Sequence, residues 1–159
     1  MKKSYEVELS AKGIRQIEKA LKDYDKWLSK KSEELCKRLA TMGAMRASAN
    51  FAIIKYDGPE DHEILVEERD GGYAVVARGH TVLFVEFGSG LIGYGHPEAD
   101  ETGMGPGTYP GKGHWEDPDG WWYAHGQHTY GNPPNMPMYS TVKELEQELV
   151  RVVKEVFEL

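Results

Sequence analysis

Residues 62–88, HEILVEERDGGYAVVARGHTVLFVEFG, decide the predicted fold. Apolar and polar residues alternate in three short runs of this stretch, which is the period of strands with one buried face. The runs are residues 63–68, 73–78 and 81–87. Asp-Gly-Gly at 70–72 suits a tight hairpin, and Gly-His at 79–80 suits a second turn. The stretch therefore predicts an antiparallel β-meander.

A long helix is predicted before the meander, beginning at Ser10 as the N-cap and running to about residue 50. Its apolar residues recur at steps of three, four and seven. They are Ile14, Ile17, Leu21, Tyr24, Leu28, Leu35, Leu39 and Met42. Unbroken, the helix would be about 60 Å long, so we expect it either to bend near residues 22–26 or to project from the domain. Both outcomes offer part of the stripe to another subunit; the alternative is a helix packed wholly on its own sheet.

A second helix is predicted over residues 141–158, with Thr141 and Glu144 as a capping box. Apolar residues at helical spacing follow it, from Val142 to Leu159. The preceding NPPNMPMY segment is expected to run extended along the core, with Met136 and Met138 buried. Two helices on an antiparallel meander make an α+β fold, and the length of 159 residues suits a single domain, 1–159.

Residues 88–137 differ from the rest of the chain, since they hold 12 of its 18 glycines and 7 of its 8 prolines. Such a density excludes long regular elements. The segment is nevertheless rich in Trp and Tyr, and GWWYAHG at 120–126 predicts a strand that returns to the sheet. Residues 91–119 are then a long Gly/Pro/aromatic-rich loop, expected to be partly disordered in the free protein and to be cut first by a protease.

Charge and cysteine content narrow the function classes. Residues 1–60 carry 13 Lys and Arg against 9 Asp and Glu, whereas residues 61–159 carry 6 against 17. Opposite halves of this kind favour contacts between copies of the chain, and the acidic balance argues against sequence-specific nucleic-acid binding. The lone Cys36 excludes an intramolecular disulfide, and the absence of a long apolar run predicts a soluble protein without a membrane partner.

Two chemical alternatives stay open. Four loop histidines with nearby carboxylates could form the zinc site of a cell-wall or peptide hydrolase, although their spacing matches no zinc motif. They are His96, His114, His125 and His128. The second alternative is a carbohydrate-binding module that uses Trp121, Trp122 and Tyr123. Neither pattern is a catalytic signature, so the sequence predicts no enzyme and no cofactor.

The order of three motifs resembles the tail-completion proteins of long-tailed bacteriophages, also called head-tail joining or neck proteins. The first motif comprises Glu86, Phe87, Gly88 and Gly90, with Ser89 where Thr is commoner; the second comprises Trp122 and Tyr123. The third comprises Gly131, Pro134, Pro137, Met138 and Tyr139, with Pro137 where that family has phenylalanine. The resemblance runs from about residue 10 to residue 157 and lies in the ordered combination.

The resemblance implies a structural protein without catalytic residues. It would be encoded by a free phage or a prophage, made in the host cytoplasm and built into the virion. Its partners would be copies of itself, in a ring that is sixfold to match a tail tube, and other neck and tail proteins around the DNA channel. Within this scheme Glu86 is predicted to accept backbone hydrogen bonds from the turn that follows it or to pair with Arg or Lys, and so to hold the root of the loop.

Overall fold

A computed structural model of the chain describes Glu8 and residues 10–54, 61–93, 118–122 and 126–158. The predicted α+β fold class is confirmed, because two long helices accompany small antiparallel sheets. The described helices are α1 (Ala11–Ala52), α2 (Val82–Phe87), α3 (Gly90–Gly93) and α4 (Pro137–Phe157). The strands are β1 (Glu63–Arg69), β2 (Gly72–Arg78), β3 (Trp121–Trp122), β4 (His128–Thr129) and β5 (Gly131–Asn132).

Helix α1 is continuous over its 42 residues and about 63 Å, with no break at residues 22–26. It begins where predicted, since the Ser10 hydroxyl accepts a hydrogen bond from the Gly13 amide at 3.2 Å. Its C-terminal half carries the packing surface of the fold, with Ala40, Ala47 and Phe51 buried. The rest of the fold therefore assembles on one half of α1.

Strands β1 and β2 form the predicted hairpin, in register from Glu63 opposite Arg78 to Arg69 opposite Gly72. Asp70 and Gly71 form the two-residue turn and both have positive φ, 46° and 78°. Two consecutive positive φ values define the turn whose twist matches that of paired strands. The hairpin packs against α1, where Val75 approaches Gly43.

The predicted third strand, residues 81–87, is wrong, because Val82–Phe87 is helix α2. A short run of β-branched and aromatic residues fits either state, and tertiary contacts decide between them. Here Val82 and Val85, one helical turn apart, join Phe51 in a buried cluster. The Asp61 carboxylate accepts hydrogen bonds from the amides of His80 and Thr81 and from the Thr81 hydroxyl, at 2.8, 3.2 and 2.5 Å. These bonds hold the turn that immediately precedes α2.

The returning strand is also corrected. Trp121 and Trp122 pair with Thr129 and His128 in a separate two-stranded sheet and do not join β1 and β2. The predicted loop has described residues only at its ends, including α3. Residues 94–117 lie outside the described residues, and the prediction of disorder falls largely on them.

Helix α4 runs antiparallel to the C-terminal half of α1. At one end the Asn50 amide donates to the Thr141 hydroxyl at 3.0 Å, and at the other the rings of Trp27 and Phe157 meet edge to face at 5.8 Å. Between these ends basic side chains of α1 pair with acidic side chains of α4. The pairs are Arg46 with Glu144 and Glu148, Arg38 with Glu155, and Lys31 with Glu158. The interface thus joins a basic helix to an acidic one.

The predicted capping box of Thr141 and Glu144 is wrong, because α4 begins one turn earlier, at Pro137. Thr141 lies within the helix and its hydroxyl donates to the Pro137 carbonyl at 2.8 Å. Glu144 instead accepts from Arg46 at 2.6 Å, and this bond holds the pKa of the Glu144 carboxyl below its ordinary value. Met138 is accordingly helical and not extended, and both Met136 and Met138 are half-buried.

The close approach of α1 to its neighbours makes Gly43 a test of the packing. A Cβ at this position would lie 3.0 Å from both the Leu145 and Val75 side chains. We expect Gly43→Leu to lower the free energy of unfolding by about 1–3 kcal/mol through overpacking. The measurement is equilibrium urea unfolding. Ala49→Leu, on the exposed face of the same helix, is the matched control and should change stability by less than about 0.5 kcal/mol. Equal effects would contradict the packing described.

The start of α2 predicts a pH dependence. The hydrogen bond from the Thr81 hydroxyl, with those from the two amides, holds the pKa of the Asp61 carboxyl below its ordinary value. Because the folded pKa is lower than the unfolded one, the ionised carboxylate stabilises the fold above about pH 4, and this contribution disappears as the pH falls through the folded value.

We therefore expect the melting temperature of Asp61→Asn to lie furthest below that of the wild type at neutral pH and to approach it below about pH 4. Thermal unfolding followed by circular dichroism between pH 3 and 7 measures this difference. Glu63→Gln, which neutralises an exposed carboxylate of β1, is the control. A difference for Asp61→Asn that does not change with pH would contradict the assigned role.

Candidate assembly joint

The first and third sequence motifs meet where α2 ends and α4 begins. Glu86, in the last turn of α2, is 6% exposed, and its two carboxylate oxygens accept hydrogen bonds from the amides of Met138 and Tyr139, each at 2.8 Å. These amides belong to the first turn of α4, where helix geometry leaves backbone donors without helical acceptors. A negative charge is also stabilised there by the helix dipole. Glu86 therefore caps α4 from a different element.

This geometry corrects the detail of the Glu86 prediction. One predicted alternative was that the carboxylate accepts hydrogen bonds from backbone amides, and it does. These amides, however, lie about 50 residues further along the chain and not in the turn that follows Glu86. In a strand, Glu86 would have shared a face with Phe84. In helix α2 it lies one turn after Val82 instead, and reaches α4.

Main-chain hydrogen bonds connect the same two segments next to the Glu86 side chain. The amides of Asn135 and Met136 donate to the carbonyls of Val85 and Glu86, at 3.0 and 3.2 Å. Met136 itself has φ 53° and immediately precedes α4. The turn into α4 is thereby fixed to α2 through backbone and side chain together.

Beyond α2, the chain pairs with the segment that leads to α4. Ser89 and Gly90 form antiparallel bridges with Asn132 and Gly131. The Ser89 hydroxyl also accepts from the backbone amide of Asn132 at 3.2 Å.

The backbones at these bridges are too close for side chains at two of the positions. A Cβ on Gly131 would lie 1.8 Å from the Ser89 carbonyl oxygen, and a Cβ on Gly90 would lie 2.7 Å from the Trp121 ring. Both glycines have positive φ. The glycines thus permit a contact that a larger residue would prevent.

The predicted motif residues fall into two groups. Glu86, Phe87, Gly88, Gly90 and Met138 lie in the joint, with Phe87 buried and Gly88 ending α2 at φ 75°. Pro134 lies half-buried in the segment that approaches α4. Trp122 lies outside the joint, 69% exposed, and its ring meets His128 edge to face at 4.7 Å. Tyr123 lies outside the described residues. We name the region formed by residues 85–90 and 131–139 the joint, because it connects the end of α2 to the start of α4.

Sequence reasoning missed several polar members of the joint. Ser89 and Asn132 bind each other across it, and the Asn50 side chain reaches from α1 to Thr141 and Pro137 at the start of α4. The start of α4 itself had a signal, since Pro is favoured in the first turn of a helix and Pro137 is followed by Met138, Thr141 and Leu145 at helical spacing.

The described residues bear on both chemical alternatives. Among the described residues, no group of three or more His, Cys, Asp or Glu side chains is placed to hold a metal ion. His96, His114 and His125 lie outside those residues, whereas His128 contacts the rings of Trp122 and Tyr130. Of the three aromatic residues considered for sugar binding, Trp121 packs against Gly90 and Trp122 is exposed, whereas Tyr123 lies outside the described residues.

No protein-family model matches the chain, and no curated protein or solved structure gives a significant match. In the described part of the chain, none of the helices combines the length and apolar character needed to cross a membrane.

Removing the Glu86 carboxylate tests the joint. Glu86→Ala leaves the Met138 and Tyr139 amides without these acceptors in a buried place, so we expect the free energy of unfolding to fall by about 1–3 kcal/mol. Glu86→Gln keeps one acceptor oxygen and should lose less. Urea unfolding measures both changes. Glu63→Ala, at an exposed position of β1, provides the reference. A loss in Glu86→Ala no larger than in this reference would remove Glu86 from the joint.

Proposed function

We propose that the chain is a structural virion protein of the tail-completion or neck class, which joins head and tail of a long-tailed phage through ring-like self-assembly around the DNA channel. Its partners are copies of itself and other neck and tail proteins, and it works in the virion after assembly in the host cytoplasm. The proposal rests on the three ordered motifs together with one structural observation, an apolar stripe on α1 that the described part of the chain leaves exposed.

The uncovered stripe lies on residues 11–26 of α1, which precede Trp27, the first residue of α1 with a described contact to α4. We call this segment the arm. All its residues are exposed except Gly13, which packs on the backbone of Glu8, and Ala20. Four large apolar side chains follow one helical face, with Ile14 and Leu21 each 62% exposed. The four are Ile14, Ile17, Leu21 and Tyr24.

A single helix of 16 residues is marginal in water, and an amphipathic helix gains most of its stability when its apolar face is packed. The arm therefore has the surface of a subunit contact. This surface suits an assembly protein better than a monomeric hydrolase, because the contact itself supplies the function.

Complementation of a phage lysate tests the function. When the corresponding gene of the phage carries an early stop codon, we expect DNA-filled heads and separate tails to accumulate, because the joint between them is missing. Adding the purified protein should restore plaque-forming particles, counted by titre and seen by electron microscopy. Glu86→Ala protein should restore fewer. Joined virions formed without the protein would contradict the proposal.

The alternatives give different results in two inexpensive measurements. Stoichiometric zinc in protein purified without a His tag would favour the metal-dependent hydrolase. Saturable quenching of tryptophan fluorescence by a glycan would favour the carbohydrate-binding module, for which the exposed Trp122 is the observation.

A further inference from the structure

One face of helix α1 carries a line of positive charge. Basic residues recur there at steps of three and four, so they project from one side of the helix. They are Lys12, Arg15, Lys19, Lys22, Lys26 and Lys30, and all six are exposed. The line is about 27 Å long and fits within an arc of about 80° around the helix axis. We call it the basic stripe.

The described part of the chain does not neutralise the basic stripe. Lys22 pairs with Glu18 at 2.8 Å, and among the described residues the other five cations form no ion pair. The basic residues that follow the stripe along α1 differ in this respect, since Lys31, Arg38 and Arg46 each pair with an acidic residue of α4. Helix α4 thus neutralises the cations after the stripe and not those within it.

The cations of the stripe also repel one another. Three pairs lie four residues apart, a spacing at which like charges destabilise a helix. These pairs are Arg15 with Lys19, Lys22 with Lys26, and Lys26 with Lys30. Lys12 lies in the first turn of α1, where the helix dipole disfavours a cation and no acidic residue is present. A solvated helix face is stabilised when acidic and basic residues alternate at this spacing, whereas this stripe is stabilised when a polyanion lies along it.

The basic stripe lies on the opposite side of α1 from the apolar residues of the arm. At 100° per residue the centres of the two stripes are about 160° apart. If the apolar residues were inserted in a lipid surface, the cations would lie about 10 Å above it, a distance over which salt screens their attraction to lipid phosphates. Glu18 and Asp25, which lie between the two stripes, would be closer to the lipid than the cations. The arrangement therefore favours an anion that lies on the basic stripe itself.

A nucleic-acid backbone matches the stripe in shape and charge. Duplex DNA carries one negative charge per about 1.7 Å of its axis, in continuous rows along its strands. The stripe supplies one positive charge per about 5 Å of α1, and no acidic residue interrupts the row, although Asp23 borders it. Lys and Arg side chains bind phosphate oxygens without a shaped pocket, and such contacts read no base sequence.

We propose that the basic stripe binds the phosphate backbone of nucleic acid without sequence preference. The inference goes beyond the proposed joining of head and tail and depends on the charges of α1 alone. It agrees with the acidic balance of the whole chain, because repulsion from the acidic residues restricts nucleic acid to the helix face where cations are in excess. The apolar stripe on the opposite side stays available for a protein contact.

Binding of duplex DNA to the purified full-length protein tests the inference. The probe is a fluorescent duplex of about 24 base pairs, followed by anisotropy at salt concentrations from about 50 to 200 mM. We expect a dissociation constant of about 10⁻⁶–10⁻⁴ M, the range of non-specific binding, and a slope of log K against log salt of about −4, as for four to five neutralised phosphates. Two duplexes of unrelated sequence should bind equally.

Two double variants locate the binding surface. Lys19→Gln combined with Lys26→Gln removes two charges from the middle of the stripe. This variant should bind DNA about 10-fold more weakly or worse at low salt, with the slope reduced in magnitude by about 2. Lys143→Gln combined with Lys154→Gln removes the same charge from exposed positions of α4 and should bind as the wild type does. Circular dichroism checks that both variants are folded.

Several results would overturn the inference. They are the absence of wild-type binding up to about 10⁻⁴ M protein at low salt, and an equal loss of binding in the two double variants. Tighter binding to phosphatidylglycerol vesicles or to polyglutamate than to DNA, at equal charge concentration, would assign the stripe to a lipid surface or to an acidic protein instead. Complementation of the phage lysate is a separate measurement, so the proposed function can hold when this inference fails.

Discussion

The buried carboxylate of Glu86 on the first turn of α4 is the interaction on which the described structure depends. An ionised group at 6% exposure needs hydrogen-bond donors, and the amides at the start of a helix need acceptors, so each satisfies the other. The contact connects segments about 50 residues apart in the chain. It also fixes the start of α4 beside the end of α2, because both carboxylate oxygens accept from amides in the first turn of α4.

The position of α4 in turn determines which surfaces remain for other molecules. From its start beside Asn50, α4 extends along α1 for 21 residues and ends at Trp27, whereas α1 continues for 16 residues more. The hairpin of β1 and β2 packs on the same half of α1. The part of α1 from Trp27 onwards therefore packs within the chain, whereas residues 11–26 present a stripe of large apolar side chains that the described residues leave exposed. For the proposed neck protein this division separates a folded body from a segment available to a neighbouring subunit.

The sequence predicts those parts of the fold that depend on local periodicity and turn chemistry. The regular apolar spacing after Ser10 identifies α1 and its cap, and Asp70-Gly71 identifies the hairpin turn. Elements defined by distant contacts were mispredicted. Residues 82–87 have the composition of a strand, but they are helical and pack Val82 and Val85 on Phe51, after a turn that Asp61 holds. Thr141 and Glu144 have the spacing of a capping box, but Glu86 caps the helix one turn earlier. For the site, the first and third motifs single out residues within 86–90 and 131–139, which contact each other in the structure. The residue pattern also predicted that the Glu86 carboxylate is hydrogen-bonded or paired. Which amides it binds depends on the tertiary structure and could not be predicted from spacing.

Hydrogen exchange of two backbone amides, measured by NMR on the free protein, tests the central claim most directly. Amides in the first turn of a helix ordinarily exchange fast, because they have no acceptor within the helix. The Glu86 contact predicts that the amides of Met138 and Tyr139 exchange as slowly as those in the interior of α4. Exchange at these two amides as fast as at an unprotected helix end, while the interior of α4 stays protected, would contradict the account.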